Sequence, residues 1–587
     1  MTLSKILKAV RREASISVLL EEYAKNIGNI HSTGDALELE GPEGALEAIL
    51  LYLFRLSNGS VPALAVVPSE QEAEALAADL TILCNNQEKS AKIMPLRIFP
   101  WWGTLPYQDG TSLRAVLGER TAALTELIMG PALLIVPQRS FLTPLPPPDY
   151  FSSKLIPVKI GETIDTIALT SILTDFGYTR VPRVQLYGEY ALKGEVLDIL
   201  LGPGEDAYRI LFDYNRVESI KRFNPEDSSQ ISTKEKIHCL LIRPQKEVLW
   251  NTDTLSALER NLLLLPEFKK NKTTTLKMIE DLGIQQTKSG EELFFSLAFE
   301  NKKYSILDYL PQNCPVFFLN RERLEHAQKT LESEYSGLFR KAIKEKPVPA
   351  PQEILLNFND LALKAEQHYY TLSFMSIRSG EKKRRVISCD PARSFFGNLN
   401  YLKEDFSSLL EQGWTIIVTA ESEVQAQRIR QLLNFGASEN ADKQMLFSVL
   451  PFPLSAGFSL PGIKLMLVEE SEIFGRRRRI PRSLGRVKSS PIDTFVELNP
   501  GDYVVHVHYG IGHFKGIERI HALGHERDYV RIEYYDEESI LVPIEQVNLV
   551  QRYIGSDGEA PRLDKIGSKS WESRKNRVKN AVEDIAQ

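Results

Sequence analysis

Two blocks near the start of the chain repeat one order of apolar and polar positions. The block "ALELEGPEGALEAILLYLFR" (36–55) begins as an alternating strand, passes through a Gly-Pro-Glu-Gly turn and continues as an apolar helix. The block "VPALAVVPSEQEAEALAADL" (61–80) has the same plan, with Ser69 in the position of a helix N-cap. Strands that alternate with helices are typical of a parallel sheet covered by helices. The pattern therefore predicts an α/β body, to which "ALLIVPQ" from residue 132 adds a buried strand.

Proline clusters and changes in texture predict where domains begin and end. Prolines gather at 144–148 and again in "KEKPVPAPQE" (344–353), which has the spacing of an extended linker. Beyond residue 499 the chain becomes rich in β-branched and aromatic residues broken by glycines, as in a small β-barrel. The predicted order is an α/β body in two parts (1–148 and 233–343) that flank a small α+β insert (149–232), a linker (344–385), a second α/β domain (386–475), a basic linker (476–496), a small β-barrel (497–555) and a C-terminal helix (556–587).

Composition narrows the class of protein. At 587 residues the chain is long enough for about four domains. With 43% hydrophobic and 25% charged residues it is an ordinary globular chain, and it has no apolar run of membrane-spanning length and no apolar core of a secretory signal. The cysteines are too few and too far apart for a disulfide framework or a metal knuckle, which predicts a reducing, cytoplasmic environment. They are Cys84, Cys239, Cys314 and Cys389.

The net charge of −6 does not favour general coating of nucleic acid, so local charge matters more. The densest basic run contains no acid. A solvated linker and a segment that contacts DNA phosphates are equally good interpretations of this run. Its first members are Arg476, Arg477, Arg478 and Arg479.

The turn at 40–47 lies between a strand and a helix, where a phosphate-binding loop would lie. Its Gly41 and Gly44 suit such a loop, but the lysine is missing and Glu43 adds negative charge. No Gly-Lys dipeptide occurs anywhere in the chain. The sequence therefore predicts a structural turn, a degenerate phosphate loop that binds no nucleotide.

Other candidate motifs are weaker. Glu469 and Glu470 end an apolar strand, as acids that hold magnesium do, but without a phosphate loop upstream we expect a solvated strand end. His506 and His508 would share one face of a strand, yet no cysteine lies nearby and packing histidines are favoured over a metal site. No GxSxG, HExxH or catalytic Cys–His spacing is present. The sequence predicts no catalytic residue, no metal site and no cofactor in this chain.

Several longer segments resemble one known family. The segments "ELNPGDYVVHVHYGIGHFKGIE" (497–518) and "DYVRIEYYDEESILVPIEQV" (528–547) resemble the RNA-polymerase-interacting, CarD-like module of bacterial transcription-repair coupling factors. Upstream, "IFPWWGTLPYQDG" (98–110), "GYTRVPRVQLYGEYALKGEVLDIL" (177–200) and "GFSLPGIKLMLVEESEIFG" (457–475) resemble successive parts of the same family. The resemblance spans essentially the whole chain.

The resemblance implies a UvrB-like body that has lost its nucleotide site, which agrees with the acidic turn. It also implies an insert that docks on UvrA. The stretch Trp101 to Gly110 is too short for the aromatic hairpin with which UvrB probes lesions. The family pattern for UvrA docking falls on Arg180 and Lys193, with Arg183 nearby and Phe212 on the following strand. The family usually has arginine in place of Lys193, and lysine lacks the bidentate fork.

The same resemblance implies that an exposed strand of the barrel pairs edge to edge with the polymerase β subunit. The matching strand is Gly516 to His521, which presents Glu518 and Ile520 on one face and Ile517 and Arg519 on the other. We expect Ile520 to be the apolar anchor.

Full-length family members are ATP-driven translocases on double-stranded DNA. The predicted C-terminal helix (556–587) resembles the connector helix that leads to their motor. ATP, magnesium and most DNA contacts are expected in that motor, and this chain is expected to be a truncated form or an incomplete gene product. The sequence thus predicts a monomeric adaptor without chemistry of its own. Two alternatives stay open at this point: a transcription regulator that acts only through the barrel at 499–555, and a cryptic nucleotide hydrolase.

Overall fold

The structure is a computed structural model, and it divides into two compact units, residues 1–487 and 488–587. The residues that it describes are 3–27, 36–57, 59, 61–85, 95–107, 114–203, 205–225, 237–284, 290–299, 303–312, 314–375, 383–393, 395, 398–433, 446–474, 503–506, 509–522, 525–535, 538–543, 550–552 and 563–565. The predicted basic linker and nearly all of the predicted C-terminal helix lie outside them.

A seven-stranded, fully parallel sheet forms the body of the first unit, in the order β14-β1-β13-β12-β2-β4-β3. The elements of its first part are α1 (Leu3–Arg12), α2 (Ala14–Asn26), β1 (Ala36–Glu40), α3 (Ala45–Ser57), β2 (Ala63–Val67), α4 (Glu70–Asn85), β3 (Leu96–Ile98), α5 (Arg114–Met129), β4 (Leu133–Pro137), α6 (Gln138–Phe141) and α7 (Pro148–Ser152). The predicted strand–turn–helix repeat is confirmed. Ser69 caps α4 as predicted, because its Oγ accepts the Glu72 N–H at 3.3 Å.

Helices on both faces bury this sheet. Along β2, Ala63, Ala65 and Val67 belong to one hydrophobic cluster, while Leu64 and Val66 belong to another. Successive side chains of a strand point to opposite faces, so the two clusters lie on opposite sides of the sheet. This explains why the central strands β2, β4 and β12 read as continuous apolar runs.

The insert contains its own five-stranded sheet, in the order β10-β9-β8-β7-β6, and a separate antiparallel pair, β11 with β5. Its elements are β5 (Ile156–Lys159), α8 (Thr166–Asp175), β6 (Thr179–Arg180), β7 (Glu189–Lys193), β8 (Val196–Leu200), β9 (Ala207–Asp213), β10 (Arg216–Phe223) and β11 (Cys239–Ile242). Because β11 pairs with the first strand of the insert, the insert extends past its predicted end at residue 232.

The chain then completes the body. The elements of this second part are α9 (Thr252–Leu264), α10 (Pro266–Lys270), α11 (Lys272–Ile284), two 3-10 helices (Glu291–Ala298 and Ile306–Tyr309), β12 (Pro315–Phe318), α12 (Arg321–Ala342), α13 (Pro351–Ile354), α14 (Phe358–His368), β13 (Tyr370–Met375) and β14 (Lys383–Val386). Among the described residues, no helix is both long and apolar enough to span a membrane.

The predicted linker at 344–385 is wrong. Pro351 begins α13, a position where a helix has no use for the missing N–H, and Asn357 caps α14 through its side chain. Strand β13 then runs between β1 and β12, inside the sheet. The stretch is therefore an integral part of the body.

The second α/β domain has a five-stranded sheet in the order β15-β18-β19-β16-β17. Its elements are β15 (Asp390–Pro391), α15 (Leu399–Glu411), β16 (Thr415–Thr419), α16 (Glu423–Leu433), β17 (Phe447–Leu450), β18 (Phe458–Leu460), a 3-10 turn (Pro461–Ile463), β19 (Leu465–Glu469) and α17 (Glu470–Phe474). Leu454, Phe458 and Leu467 join the same hydrophobic cluster as α3 of the body. The domain thus packs directly on the body.

The second unit is a five-stranded antiparallel sheet in the order β23-β22-β21-β20-β24. Its strands are β20 (Tyr503–His506), β21 (Gly510–Ala522), β22 (His525–Glu533), β23 (Ser539–Pro543) and β24 (Val550–Arg552). The predicted closure into a small barrel stays a prediction.

Asp564, only 3% exposed, fastens the end of this domain to its first hairpin. Its carboxylate accepts the Ile511 N–H and its own N–H donates to the Ile511 carbonyl, both at 2.9 Å. Its carbonyl also accepts the Tyr535 N–H at 3.0 Å. The segment 563–565 is therefore part of the domain.

Candidate functional sites

The turn between β1 and α3 has the backbone of a tight loop, and the first three amides of the helix are hydrogen-bonded. Gly41 and Gly44 both have positive φ, 106° and 57°. The Ala45 N–H donates to the Ala456 carbonyl of the second domain at 3.1 Å, and the N–H groups of Leu46 and Glu47 donate to carbonyls of the turn itself. Phosphate loops use such amides to hold phosphate oxygens, so here the donors are already taken.

A segment of the second domain covers this turn closely. A Cβ at Gly44 would lie 2.5 Å from the Gly457 carbonyl oxygen, so no side chain fits there. The carboxylate of Asp79 accepts the Ser455 N–H at 2.7 Å and also its hydroxyl. The second domain therefore occupies the place next to the turn where a nucleotide phosphate would have to enter.

Acidic residues surround the turn. The pKa of Glu47 is raised from its ordinary 4.5 to about 8, chiefly by burial and also by the nearby carboxylates of Glu72 and Glu43, while Arg323 opposes them. Arg323 is itself engaged with Glu72 in an ion pair. A phosphate would meet these acids and the bonded amides, and the absence of nucleotide binding at Gly41, Glu43 and Gly44 stays a prediction.

The sheet of the insert has two faces with different environments. Tyr190, Ile199 and Ile210 pack with α8 in one hydrophobic cluster. Ala191 and Phe223 belong to a smaller cluster on the opposite side. We call this second side the outer face.

Strand register places two rows of side chains across the outer face. One row runs Lys193, Val196, Leu211 and Ser219, and the next runs Ala191, Asp198, Arg209 and Lys221. Arg209 pairs with Asp198 through two bonds of 2.7 and 2.8 Å and lies 5.0 Å above the Phe223 ring. Lys193 is exposed, whereas Val196 and Leu211 are half-buried. The outer face thus offers apolar area next to positive charge.

The predicted UvrA-docking residues do not all lie on this face. Arg180, on the edge strand β6, is in register with Tyr190 and so belongs to the face that packs on α8, although it is exposed. Arg183 is exposed, and its guanidinium donates to the Pro225 carbonyl at 3.4 Å. A partner that contacts both Arg180 and Lys193 must reach around the edge of the sheet.

The structure corrects the prediction that Phe212 contacts a partner. Its side chain is 3% exposed and packs in the cluster under α8, so it has no surface to offer a partner. Alternation along β9 puts Ile210 and Phe212 on the same inward face. The same alternation places Arg209 and Leu211 outward, and it is the signal that could have found them.

In the second unit, β21 is much longer than its neighbour β20. Strand β20 pairs only with residues 510–513, while β22 pairs with 513–522. A bulge between Phe514 and Gly516, where φ is 130°, turns the strand away at that point. Among the described residues, 516–522 therefore have a paired edge on one side only.

Two families match the parts of the chain that hold these surfaces. Residues 156–247 match the UvrB interaction domain, and residues 498–554 match the CarD-like/TRCF RID domain. A transcription-repair-coupling factor of Borreliella burgdorferi is 28% identical over 97% of this chain and 48% of its own length. The factor of Bacillus subtilis is 26% identical over 96% of this chain and 49% of its own length. The factor of Staphylococcus epidermidis is 27% identical over 83% of this chain and 43% of its own length.

The chain resembles transcription-repair-coupling factors along nearly its whole length. The resemblance predicted from the sequence is thus confirmed. The chain spans about half the length of these curated relatives. The match to the UvrB interaction domain also supports the longer insert, because it ends at residue 247, after β11.

The residues predicted to bind polymerase lie on β21 of this transcription-repair-coupling-factor-like chain. Glu518 is exposed, and its carboxylate lies 2.8 Å from the Arg531 guanidinium on β22. The backbones of Ile517, Arg519 and Ile520 pair with β22, but their side chains lie outside the described residues. Arg476 to Arg479 also lie outside the described residues.

The other acids and histidines that the sequence singles out lie in different environments. Glu469 is not a solvated strand end as predicted: it is buried and accepts the Ser471 N–H at 2.7 Å. His506 is buried, with its ring 4.8 Å from that of Tyr509, and His508 lies outside the described residues. Within the described part of the chain, no group of three or more metal-ligating side chains comes together.

Proposed function

We propose that this chain is the partner-binding part of a transcription-repair-coupling factor, which binds RNA polymerase through the second unit and recruits UvrA through the insert. The observation that carries the proposal is that each matched domain holds a surface suited to a protein partner. The second unit has a strand with an open edge, and the insert has an outer face that combines apolar and positive side chains.

The polymerase contact is proposed to be strand addition along residues 516–522 of β21. An open strand edge supplies a row of backbone donors and acceptors, which gives affinity, while alternate side chains give specificity. We propose the polymerase β subunit as the partner, with Ile520 as apolar anchor and Ile517, Glu518 and Arg519 beside it. The bulge before Gly516 supports this proposal because it separates the open stretch from the part that β20 covers.

The test is binding of the full chain to purified polymerase β subunit. Ile520→Glu places a charge on the proposed strand, and we expect at least a tenfold rise in Kd. Leu541→Glu is the matched control, because Leu541 is an exposed apolar residue on β23 of the same domain. Equal binding by both variants would contradict the proposal for β21.

The UvrA contact is proposed to use the outer face of the insert, with Arg180 and Arg183 at its edge. Reversal of charge in Lys193→Glu or Arg180→Glu should weaken capture of UvrA at low salt and less so at high salt. Lys403→Glu, at an exposed position on α15 of the second domain, controls for the change in net charge. Capture of UvrA that neither Lys193→Glu nor Arg180→Glu weakens would refute this surface.

The chain is further proposed to bind and hydrolyse no nucleotide through the turn at 41–47. The bonded amides of α3 and the acidic surroundings support this proposal. Titration calorimetry with ATP and magnesium is the test, and tight binding or turnover would overturn it. DNA translocation with ATP and magnesium stays a prediction for the motor of full-length family members, as do phosphate contacts by Arg476 to Arg479, a monomeric state and a cytoplasmic location.

No observation favours the alternative of a transcription regulator without a role in repair. Such a regulator would have no use for the UvrB interaction domain at 156–247. Loss of UvrA capture in Lys193→Glu with intact binding to polymerase would separate the two functions.

A further inference from the structure

The hairpin that joins β9 to β10 displays an exposed aromatic residue at its tip. Asp213 pairs with Arg216, so Tyr214 and Asn215 form a two-residue loop. Tyr214 is the first of the two and has a φ of 54°. Its side chain is 85% exposed, the most of any large hydrophobic residue among the described ones.

A tyrosine is out of place at such a position on local grounds. The first central residue of a two-residue hairpin loop with positive φ is normally glycine or asparagine, because a Cβ is unfavourable there. The exposed ring gains nothing from burial that would offset this cost. A strained backbone at an exposed residue is a reason to look for a role outside the fold.

Neighbouring segments hold the tip in place. The Tyr214 N–H donates to the Glu195 carboxylate at 3.1 Å, and the Phe212 N–H donates to the Glu195 carbonyl at 2.8 Å. On the other side the Ile164 N–H donates to the Asn215 carbonyl at 2.7 Å. The ring is therefore carried on a backbone that is already held in place, so little backbone freedom would be lost when a partner binds it.

The tip lies at the end of the sheet that carries Lys193. Leu211, three residues before Tyr214, stands in the same row as Lys193, and Glu195, which bonds Tyr214, is two residues after Lys193. Tyr214 thus lies at the end of the sheet where the row of Lys193, Val196 and Leu211 crosses it.

We propose that Tyr214 is an aromatic anchor that sets affinity and specificity for the partner of the outer face, a protein surface on UvrA. This rests on the proposed function of the insert. Tyrosine is enriched among residues that dominate protein interfaces, because it brings a large rigid area together with a hydroxyl. Single-stranded nucleic acid is the less suitable ligand for the ring, because the acids Asp213 and Glu195 flank it and would repel phosphates.

The test is the affinity of the full chain for purified UvrA from the same organism. Tyr214→Gly suits the positive φ, so we expect an unchanged or higher melting temperature together with at least a tenfold rise in Kd. Tyr214→Phe keeps the ring and should stay within about threefold of the parent chain. Leu264→Ala is the control, because Leu264 is 71% exposed on α9 of the body, outside the insert. It should leave the Kd unchanged.

The outcomes separate the anchor from the docking surface. If Lys193→Glu weakens binding but Tyr214→Gly stays within twofold of the parent chain, the anchor is refuted and the docking surface stands. If the parent chain does not bind UvrA, the proposed function of the insert fails and the anchor fails with it. If Tyr214→Gly loses affinity for a single-stranded oligonucleotide and keeps it for UvrA, the ring serves nucleic acid and the inference is overturned.

Discussion

Replacement of Glu47 by glutamine tests whether this carboxyl group is held protonated by burial among other acids at the turn between β1 and α3. Glu47 lies in the first turn of α3, close enough to Glu72 and Glu43 for their carboxylates to oppose its ionisation. Burial is the larger cause of its raised pKa. Glutamine keeps the shape of the side chain and removes the charge.

The size and sign of the effect follow from the pKa. In the folded chain Glu47 titrates at about 8 instead of 4.5, so between these values the folded state holds a proton that the unfolded state has lost. Stability is therefore highest below pH 4.5 and falls as the pH rises through 8. A pKa difference of this size changes the free energy of unfolding by up to about 5 kcal/mol. Glu47 is not fully enclosed, so screening by water lowers the expected effect to about 2 to 3 kcal/mol.

The measurement is urea unfolding of the full chain at pH 5 and pH 8, followed by tryptophan fluorescence for the transition of the first unit. From pH 5 to pH 8 the free energy of unfolding of Glu47→Gln should rise by about 2 to 3 kcal/mol relative to that of the parent chain, because only the parent chain has to ionise a buried carboxyl group. Other titrating groups cancel in this difference. Glu404→Gln, at an exposed position on α15, should show a constant difference. A constant difference for Glu47→Gln as well would refute the reasoning.

Three further outcomes are expected. Glu43→Lys should not create an ATP site, since the first amides of α3 stay bonded to carbonyls, and saturable binding in calorimetry would contradict this. Asp79→Asn should weaken the contact with Ser455 by about 1 to 3 kcal/mol, seen as faster hydrogen exchange of the Ser455 amide. Asp564→Ala should speed exchange of the Ile511 amide at least tenfold, because that buried donor loses its acceptor; unchanged protection would show that the contact is dispensable.

The elements with strong periodicity could be predicted from the sequence. The strand–turn–helix repeat at 36–80 and the cap at Ser69 are present as predicted, because local propensity and burial agree there. Strand β13 could not be predicted from the sequence, because its local pattern and its burial disagree. Its sequence, Tyr370–Met375, carries Thr371 and Ser373, yet every residue is buried. The Ser373 hydroxyl accepts a bond from Arg321 at 3.2 Å, a long-range contact that no local pattern announces.

The candidate sites show a similar division. The missing lysine and the acids of the turn at 40–47 could be read locally, but the closing carbonyl of Ala456 comes from more than four hundred residues away. The family resemblance suggests Phe212 as a contact residue, whereas strand alternation puts its side chain inside, and the structure agrees with the alternation. Tyr214 could not be recognised from the sequence, because its residue type alone does not distinguish an ordinary surface tyrosine from an anchor. Its positive φ, which only the structure gives, makes that distinction.

The closed turn explains why the first unit holds the body and the second α/β domain together. A helix that starts at a sheet edge leaves amides that need acceptors, and in a nucleotide-binding protein phosphate can satisfy them. Without that ligand another acceptor is required, and here the Ala456 carbonyl meets the Ala45 amide. The contact brings Leu454 and Phe458 into the cluster of α3, so apolar burial adds to the hydrogen bond. The turn is therefore an internal docking point, at which the second α/β domain supplies an acceptor that the start of α3 requires.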